Sequence, residues 1–171
     1  VGDCQIATGT DFQPAVEGQP YPYGSTLKTG HKSSLVIVLS DGNECRVLAN
    51  TVMTLNEATL NKKVKSVRLD EGKIEVSLLS DYAADGSDFS VETPAAVCGV
   101  IGSKLKAEAA TEGDLHIGIF GCVEGKLRVL GPQFELPLLD ADDVVSIAAT
   151  TDKSFIRIKN VAGTFPIVVK D

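Results

Sequence analysis

The stretch Ser90-Val-Glu-Thr-Pro-Ala-Ala-Val-Cys-Gly-Val-Ile-Gly-Ser-Lys-Leu105 has the apolar content of a buried strand, yet Pro94, Gly99 and Gly102 interrupt it. Each of these residues weakens a strand interior, so each asks for a geometric reason. A proline after Thr93 suits a strand start, where no ladder bond from its nitrogen is needed. Glycines inside a strand mark bulges or close backbone approach. The stretch therefore reads as a strand that begins at Thr93-Pro94 and is bent or closely covered at Gly99 and Gly102.

Period-2 alternation extends this reading along the chain. Ile74, Val76 and Leu78 alternate with Glu75 and Ser77, Leu115, Ile117 and Ile119 with His116 and Gly118, and Ile156 and Ile158 flank Arg157. Half-buried strands have this pattern. Leu35–Leu39 is apolar at every position, which predicts a central strand covered on both faces. The best helix candidate, Asn56–Lys63, is weakened by Thr59 and two asparagines. Ser40-Asp41-Gly42-Asn43, Asp70-Glu71-Gly72-Lys73 and Val123-Glu124-Gly125-Lys126 each place an acid before a glycine, which predicts turns between strands. The matching pieces LDEGKIEV and CVEGKLRV form a faint internal repeat. The expected fold is all-β, with stacked antiparallel hairpins making a sandwich or a twisted solenoid-like domain. Its expected extent is one domain over residues 1–171, with strands after Gly131-Pro132 (131–171) as a C-terminal extension on the same core.

Composition narrows the function. Hydrophobic residues make up 43% and charged residues 23%, as in ordinary globular chains. Sixteen Lys and Arg against 23 Asp and Glu give a net charge of −7, which repels phosphate backbones and argues against nucleic acid. No run approaches the roughly 20 apolar residues of a membrane helix, and Val1 opens no signal-peptide pattern. No catalytic set is expected: His31 falls in a turn, His116 on the outward parity of a strand, and no G-x-S-x-G elbow is present. Asp81–Glu92 matches a calcium loop at positions 1, 5, 6 and 12, but Ala83 cannot ligate at position 3, so a polar hairpin loop is expected, without metal or cofactor.

Cys4, Cys45, Cys98 and Cys122 lack the close pairing of a zinc site. In a strand-rich chain they predict disulfides and an oxidising compartment, with four buried free thiols as the rival reading. Three pairings are open. If the strands around Ala110 form a hairpin turning near Thr111–Asp114, Cys98 approaches Cys122, and Cys4 with Cys45 follows by elimination.

VETPAAVCGVIGSKL also resembles the signature of the FecR domain family, a Thr-Pro followed by small residues and a glycine-rich apolar strand. Leu27-Lys-Thr-Gly30, Ser33–Gly42, Leu48–Leu55 and Val67–Val76 are similar to the family's earlier blocks, in the same order, so that the likeness covers about 24–129. The motif residues are then Asp41, Gly42, Thr93, Pro94, Gly99, Gly102 and Ser103, with Ile101 and Ser103 standing where the family usually carries arginine and threonine. The prolines and glycines bring no functional groups beyond backbone, so their expected role is architectural. Well-known members are membrane-spanning sensors whose cytoplasmic segment controls a sigma factor and whose periplasmic part receives a transporter's signal. The resemblance implies an extracytoplasmic, non-catalytic bacterial domain that recognises a protein at the cell envelope, with exposed polar loops as the expected contact. A secreted carbohydrate-binding module is the alternative, disfavoured by the lack of Trp and 5% aromatic content; a self-associating structural envelope protein is another.

Overall fold

The computed structural model of the chain describes residues 2–58, 63–79, 87–132, 134–159 and 168–169. Its fourteen strands among these residues are β1 (Cys4–Ala7), β2 (Gln13–Pro14), β3 (Thr26–Thr29), β4 (Leu35–Val38), β5 (Glu44–Val47), β6 (Val52–Glu57) and β7 (Val64–Ser77), then β8 (Asp88–Glu92), β9 (Val97–Glu112), β10 (Leu115–Gly131), β11 (Phe134–Glu135), β12 (Val144–Ala149), β13 (Ser154–Lys159) and β14 (Val168–Val169). The fold is all-β. No helix occurs among the described residues, so none is long and apolar enough to cross a membrane. The expected helix is replaced by the end of β6: Asn56 and Glu57 pair with Ser66 and Lys65, and Ala58 N–H bonds Val64 O at 2.8 Å. Thr59–Lys62 lie outside the described residues.

Three long strands organise everything else, because each crosses between two sections of the sheet. The first half of β7 pairs with β6 and, in parallel, with β8; its second half pairs with β5 and β9. Likewise β9 leaves β8 after Gly99 and joins β7 from Lys104 onward, with β10 following it throughout. One section thus runs β2-β1-β3-β6-β7-β8-β9-β10-β11 and the other β4-β5-β7-β9-β10-β12-β13. The circuit β7–β8–β9–β7 closes on itself, a barrel-like fork at the centre of the sandwich.

Burial shows how the strands cross. In β7 the buried positions are Lys65, Val67 and Leu69, then Ile74 and Val76; in β9 they are Cys98 and Val100, then Leu105, Ala107 and Ala109; in β10, Phe120 and Cys122, then Leu127 and Val129. Parity changes once in each strand, so both halves keep their apolar side chains toward one core. The changes fall at Asp70–Lys73, Ile101–Lys104 and Val123–Lys126, where the ladders of β7 and β10 also shift register. Two of the three expected acid-Gly turns are therefore bulged bends inside continuous strands, with Gly72 and Gly125 at φ +98 and +89. Only Ser40–Asn43 is a turn, joining β4 to β5 with Gly42 at φ +85. The repeat LDEGKIEV/CVEGKLRV is real, but it encodes a bend.

Leu35–Leu39 also differs from its expected place. Four of its residues form β4, which among the described residues pairs with β5 alone and so lies at an edge. Thr93–Ala96 is a turn between antiparallel β8 and β9, so the opening stretch is a hairpin followed by a bend instead of one strand begun at Thr93-Pro94. The strands after Gly131 continue the sheet: β12 pairs along β10 from His116 to Gly121, and β13 pairs with β12.

Candidate functional site

Several family-type motif residues lie at bends and turns of the core. Thr93 Oγ1 accepts the N–H of Ala95 and Ala96 at 3.3 and 3.2 Å and donates to Ala96 O at 3.0 Å, which fixes the β8–β9 turn. The turn packs on Gly118 of β10, where a Cβ would lie 2.8 Å from Thr93 Oγ1 and 3.3 Å from Ala95 Cβ. Pro94 is exposed on this turn. At the bend of β9 a Cβ on Gly102 would lie 2.5 Å from Gly125 Cα and 3.0 Å from Glu124 O, so two backbones touch there. Gly99 differs, because a Cβ there would meet only Arg128 O at 3.9 Å. Ser103 lies on β9, and its side chain falls outside the described residues. The bend of β7 depends on Thr51, which the sequence did not single out. Its buried hydroxyl accepts Lys73 N–H at 3.0 Å and donates to Lys73 O at 3.2 Å, against the bare Cα of Gly72.

Asp41 and Gly42 form the β4–β5 turn. Asn43 N–H bonds Asp41 Oδ1 at 3.2 Å, while Asp41 Oδ2 receives the ammonium of Lys65 at 2.8 Å. Lys65 lies on β7 with 4% of its side chain exposed, with Glu57 Oε2 at 3.8 Å and the Tyr23 ring at 6.0 Å. Burial opposes the charge on Asp41, yet its bond and Coulomb attraction to Lys65 and the Asn43 N–H hold its carboxyl below the usual carboxylate range. Burial likewise opposes the Lys65 charge, and Asp41, Tyr23 and Glu57 raise its pKa above the ordinary lysine value. A buried ion pair thus ties the β4–β5 turn to the opposite section of the sheet.

None of the four cysteines is in a disulfide. The hairpin does turn at Gly113-Asp114, three residues beyond the midpoint expected from Cys98 and Cys122. Cys98 consequently faces Val129, and Cys122 faces Leu105. Cys45 faces Ile37 and Val76, whereas Cys4 pairs with Thr29 and its thiol lies 3.8 Å from Ser34 O. Burial pushes the Cys45 thiol up to about 12; burial and, secondarily, nearby Cys122 push Cys98 up to about 12. Burial, with the carboxylates of Asp143, Asp140 and Asp142, lifts Cys122 to about 11. Such thiols are poor nucleophiles. The two histidines do not meet a nucleophile–acid pair: His31 is exposed, and His116 Nδ1 bonds Thr111 Oγ1 at 3.1 Å. No cluster of metal-ligating side chains occurs among the described residues. Of the calcium-like loop, Asp81–Gly86 lie outside the described residues and Asp88–Glu92 form β8.

A larger concave feature lies elsewhere, on the side where the two sections of the sheet part. An open groove of ≈ 1080 Å³ runs between β4 and the β1 edge with its 15–23 segment. Ile6, Leu27, Leu39 and Leu55 form its floor, Leu35 and Ile37 one wall, and Tyr21 and Tyr23 the other. Tyr21 holds that segment by accepting Val16 N–H at 2.9 Å. Val36 and Val38, which also line the groove, are 50% and 65% exposed. The β4 signal was present in the sequence as an uncharged apolar run; what it lacked was any mark of which edge would remain unpaired.

The sequence matches the family model described as FecR protein over residues 25–128, from the turn before β3 to the middle of the second half of β10. The chain belongs to the FecR protein family. Among solved structures, two crystal structures of a candidate anti-sigma factor from Parabacteroides distasonis ATCC 8503, at 1.65 and 2.50 Å, share the fold. Their TM-scores are 0.62 and 0.61 at 24% and 23% identity. The match covers 79% of this chain and 59% of each of theirs, so the FecR-family chain spans about three-fifths of those proteins. No curated protein matches the chain by sequence. All the motif residues named above fall inside the matched FecR region, as do β4 and the three bends.

Proposed function

We propose that this FecR-family chain is a non-catalytic recognition domain of a signalling regulator, acting outside the cytoplasm of a bacterium and binding a protein partner through the groove beside β4. The observation that carries the site is the contrast among sheet edges. Edge strands are ordinarily guarded by brevity, proline or charge. β2 is two residues long and ends in Pro14, β14 is also two residues, and β13 carries Arg157. β4 is Leu-Val-Ile-Val, with no charge, proline or glycine, and it borders the groove. Family membership supports the regulatory and extracytoplasmic parts of the reading; with no disulfide present, the compartment rests on that membership alone. The test is photo-crosslinking in the native host from position 38 and, as control, from exposed Arg68 on β7. The reading expects one envelope protein captured from position 38 and not from 68. Equal capture from both, or capture of cytoplasmic proteins only, would refute it.

A further inference from the structure

The binding mode follows from how β4 is held, and this inference rests on the recognition reading just given. Both ends of β4 are tied to the opposite wall of the groove: Cys4 Sγ lies 3.8 Å from Ser34 O, and the hydroxyls of Tyr23 and Ser40 meet at 3.0 Å. Between these ties Leu35–Val38 pairs with β5 along one edge, and no described strand pairs with the other. Burial alternates along β4, with Leu35 and Ile37 half-buried and the groove-lining Val36 and Val38 exposed, so a strand laid beside β4 would also present alternate side chains to the apolar floor. An open main-chain edge beside an apolar trough has what strand addition needs: hydrogen bonds for affinity and a pocket for every second side chain.

We infer that the groove takes an extended segment of a partner protein, added as a strand to β4, with apolar residues on alternate positions and cationic residues flanking them. The charge of the chain decides the class of occupant. At −7, two copies repel each other, whereas a cationically flanked segment is drawn in. Area points the same way. A four-residue edge shared by two copies falls well short of the roughly 1,000 Å² of a stable interface, while a segment lying in the trough is covered on a face as well as an edge. Among the groove's lining residues the charged ones are Glu17 and Arg46, so its interior selects for apolar side chains and leaves charge to the flanks.

The probe is a seven-residue peptide alternating valine and threonine between two terminal lysines, acetylated and amidated, titrated into the full chain by amide NMR. Strand addition predicts shifts and slowed hydrogen exchange concentrated at residues 35–38. N-methylating the peptide amides that face β4 should weaken binding roughly tenfold or more, since each removes a main-chain bond and blocks close approach. Exchanging the lysines for glutamates should weaken it further at low salt. Val36→Lys with Val38→Lys, which guards the edge, should abolish the shifts while the protein keeps its melting temperature. An N-methylated peptide that binds as well as its parent would overturn strand addition while leaving groove recognition by position-38 crosslinking intact. Peptide binding elsewhere, or none at millimolar peptide, would also overturn it. So would sedimentation showing a dimer with residues 35–38 protected, because the occupant would then be a second copy.

Discussion

The bends of β7, β9 and β10 and the edge strand β4 sit in the same sheet but are built on opposite terms. At the bends every backbone is close to another: Gly102 lies against Gly125, and Gly72 against Thr51. Their outward faces are bridged by charge pairs, Lys73 with Glu108 at 3.2 Å, Glu75 with Lys106 at 3.1 Å and Lys104 with Glu124 at 3.4 Å. Such exposed pairs add little stability individually, but they keep the surface solvated and unattractive to other strands. β4 carries no charge, and among the described residues it is paired along one edge alone. The first region keeps the sandwich folded over itself, and the second is where the fold is left open. The bends are polar and paired on both sides, β4 is Leu-Val-Ile-Val and pairs along one edge, so composition and pairing together separate core from interface here.

The largest effect that would break this comparison is at Gly102. Gly102→Val drives a side chain into the Gly125 backbone and should cost about 3 kcal/mol or prevent folding, whereas Gly99→Val, whose Cβ would meet Arg128 O at an ordinary 3.9 Å, should change stability by no more than about 0.5 kcal/mol. Urea unfolding of the pair measures the difference; equal losses would mean the bend is not closely packed.

Next is the ion pair beneath the β4–β5 turn. Asp41→Asn removes the carboxylate at 2.8 Å from the buried Lys65 ammonium and should cost about 2 kcal/mol; Lys65→Met leaves Asp41, 29% exposed, able to turn to water, and should cost less. Asp41 has its folded pKa lowered, so its contribution is present above the unfolded value near 4 and disappears as pH falls through the folded one. Acid unfolding should accordingly be steeper in the parent than in Asp41→Asn. Parallel curves would show that the pair does not couple to folding.

Smaller again is the Thr93 turn. Thr93→Val keeps the shape but removes the hydroxyl that serves Ala95 and Ala96, with an expected loss of about 1 kcal/mol, and Thr93→Ser should recover most of it. Thermal melts of the three proteins test this.

These positions also show what could be read in advance. Alternation around Ile74–Leu78 and Leu115–Ile119 is a local property of the pleat, so the all-β class and the β9–β10 hairpin were legible in the sequence. The meaning of Glu71-Gly72 and Glu124-Gly125 was not, because a glycine at positive φ serves a hairpin turn and a bulged bend equally well. Only the change of buried parity on either side distinguishes them, from Leu69 to Ile74 and from Cys122 to Leu127. The cysteine pairing failed for a related reason: a three-residue error in the turn moves Cys98 and Cys122 seven ladder positions out of register. Within the motif stretch Gly102 meets another backbone as its type suggests, while Gly99 does not. The groove could not be seen, since an apolar run such as Leu35–Leu39 looks alike in the middle of a sheet and at its edge.

Hydrogen–deuterium exchange of the free protein tests the central claim most directly. With β4 unpaired on one side, the amides of Leu35–Val38 that do not face β5 should exchange orders of magnitude faster than those at Leu105–Ala109 of β9, which is flanked by β7 and β10. Val36→Lys should leave that difference unchanged. Protection of every β4 amide to the level of β9 would mean that the edge is already filled, and would contradict the account.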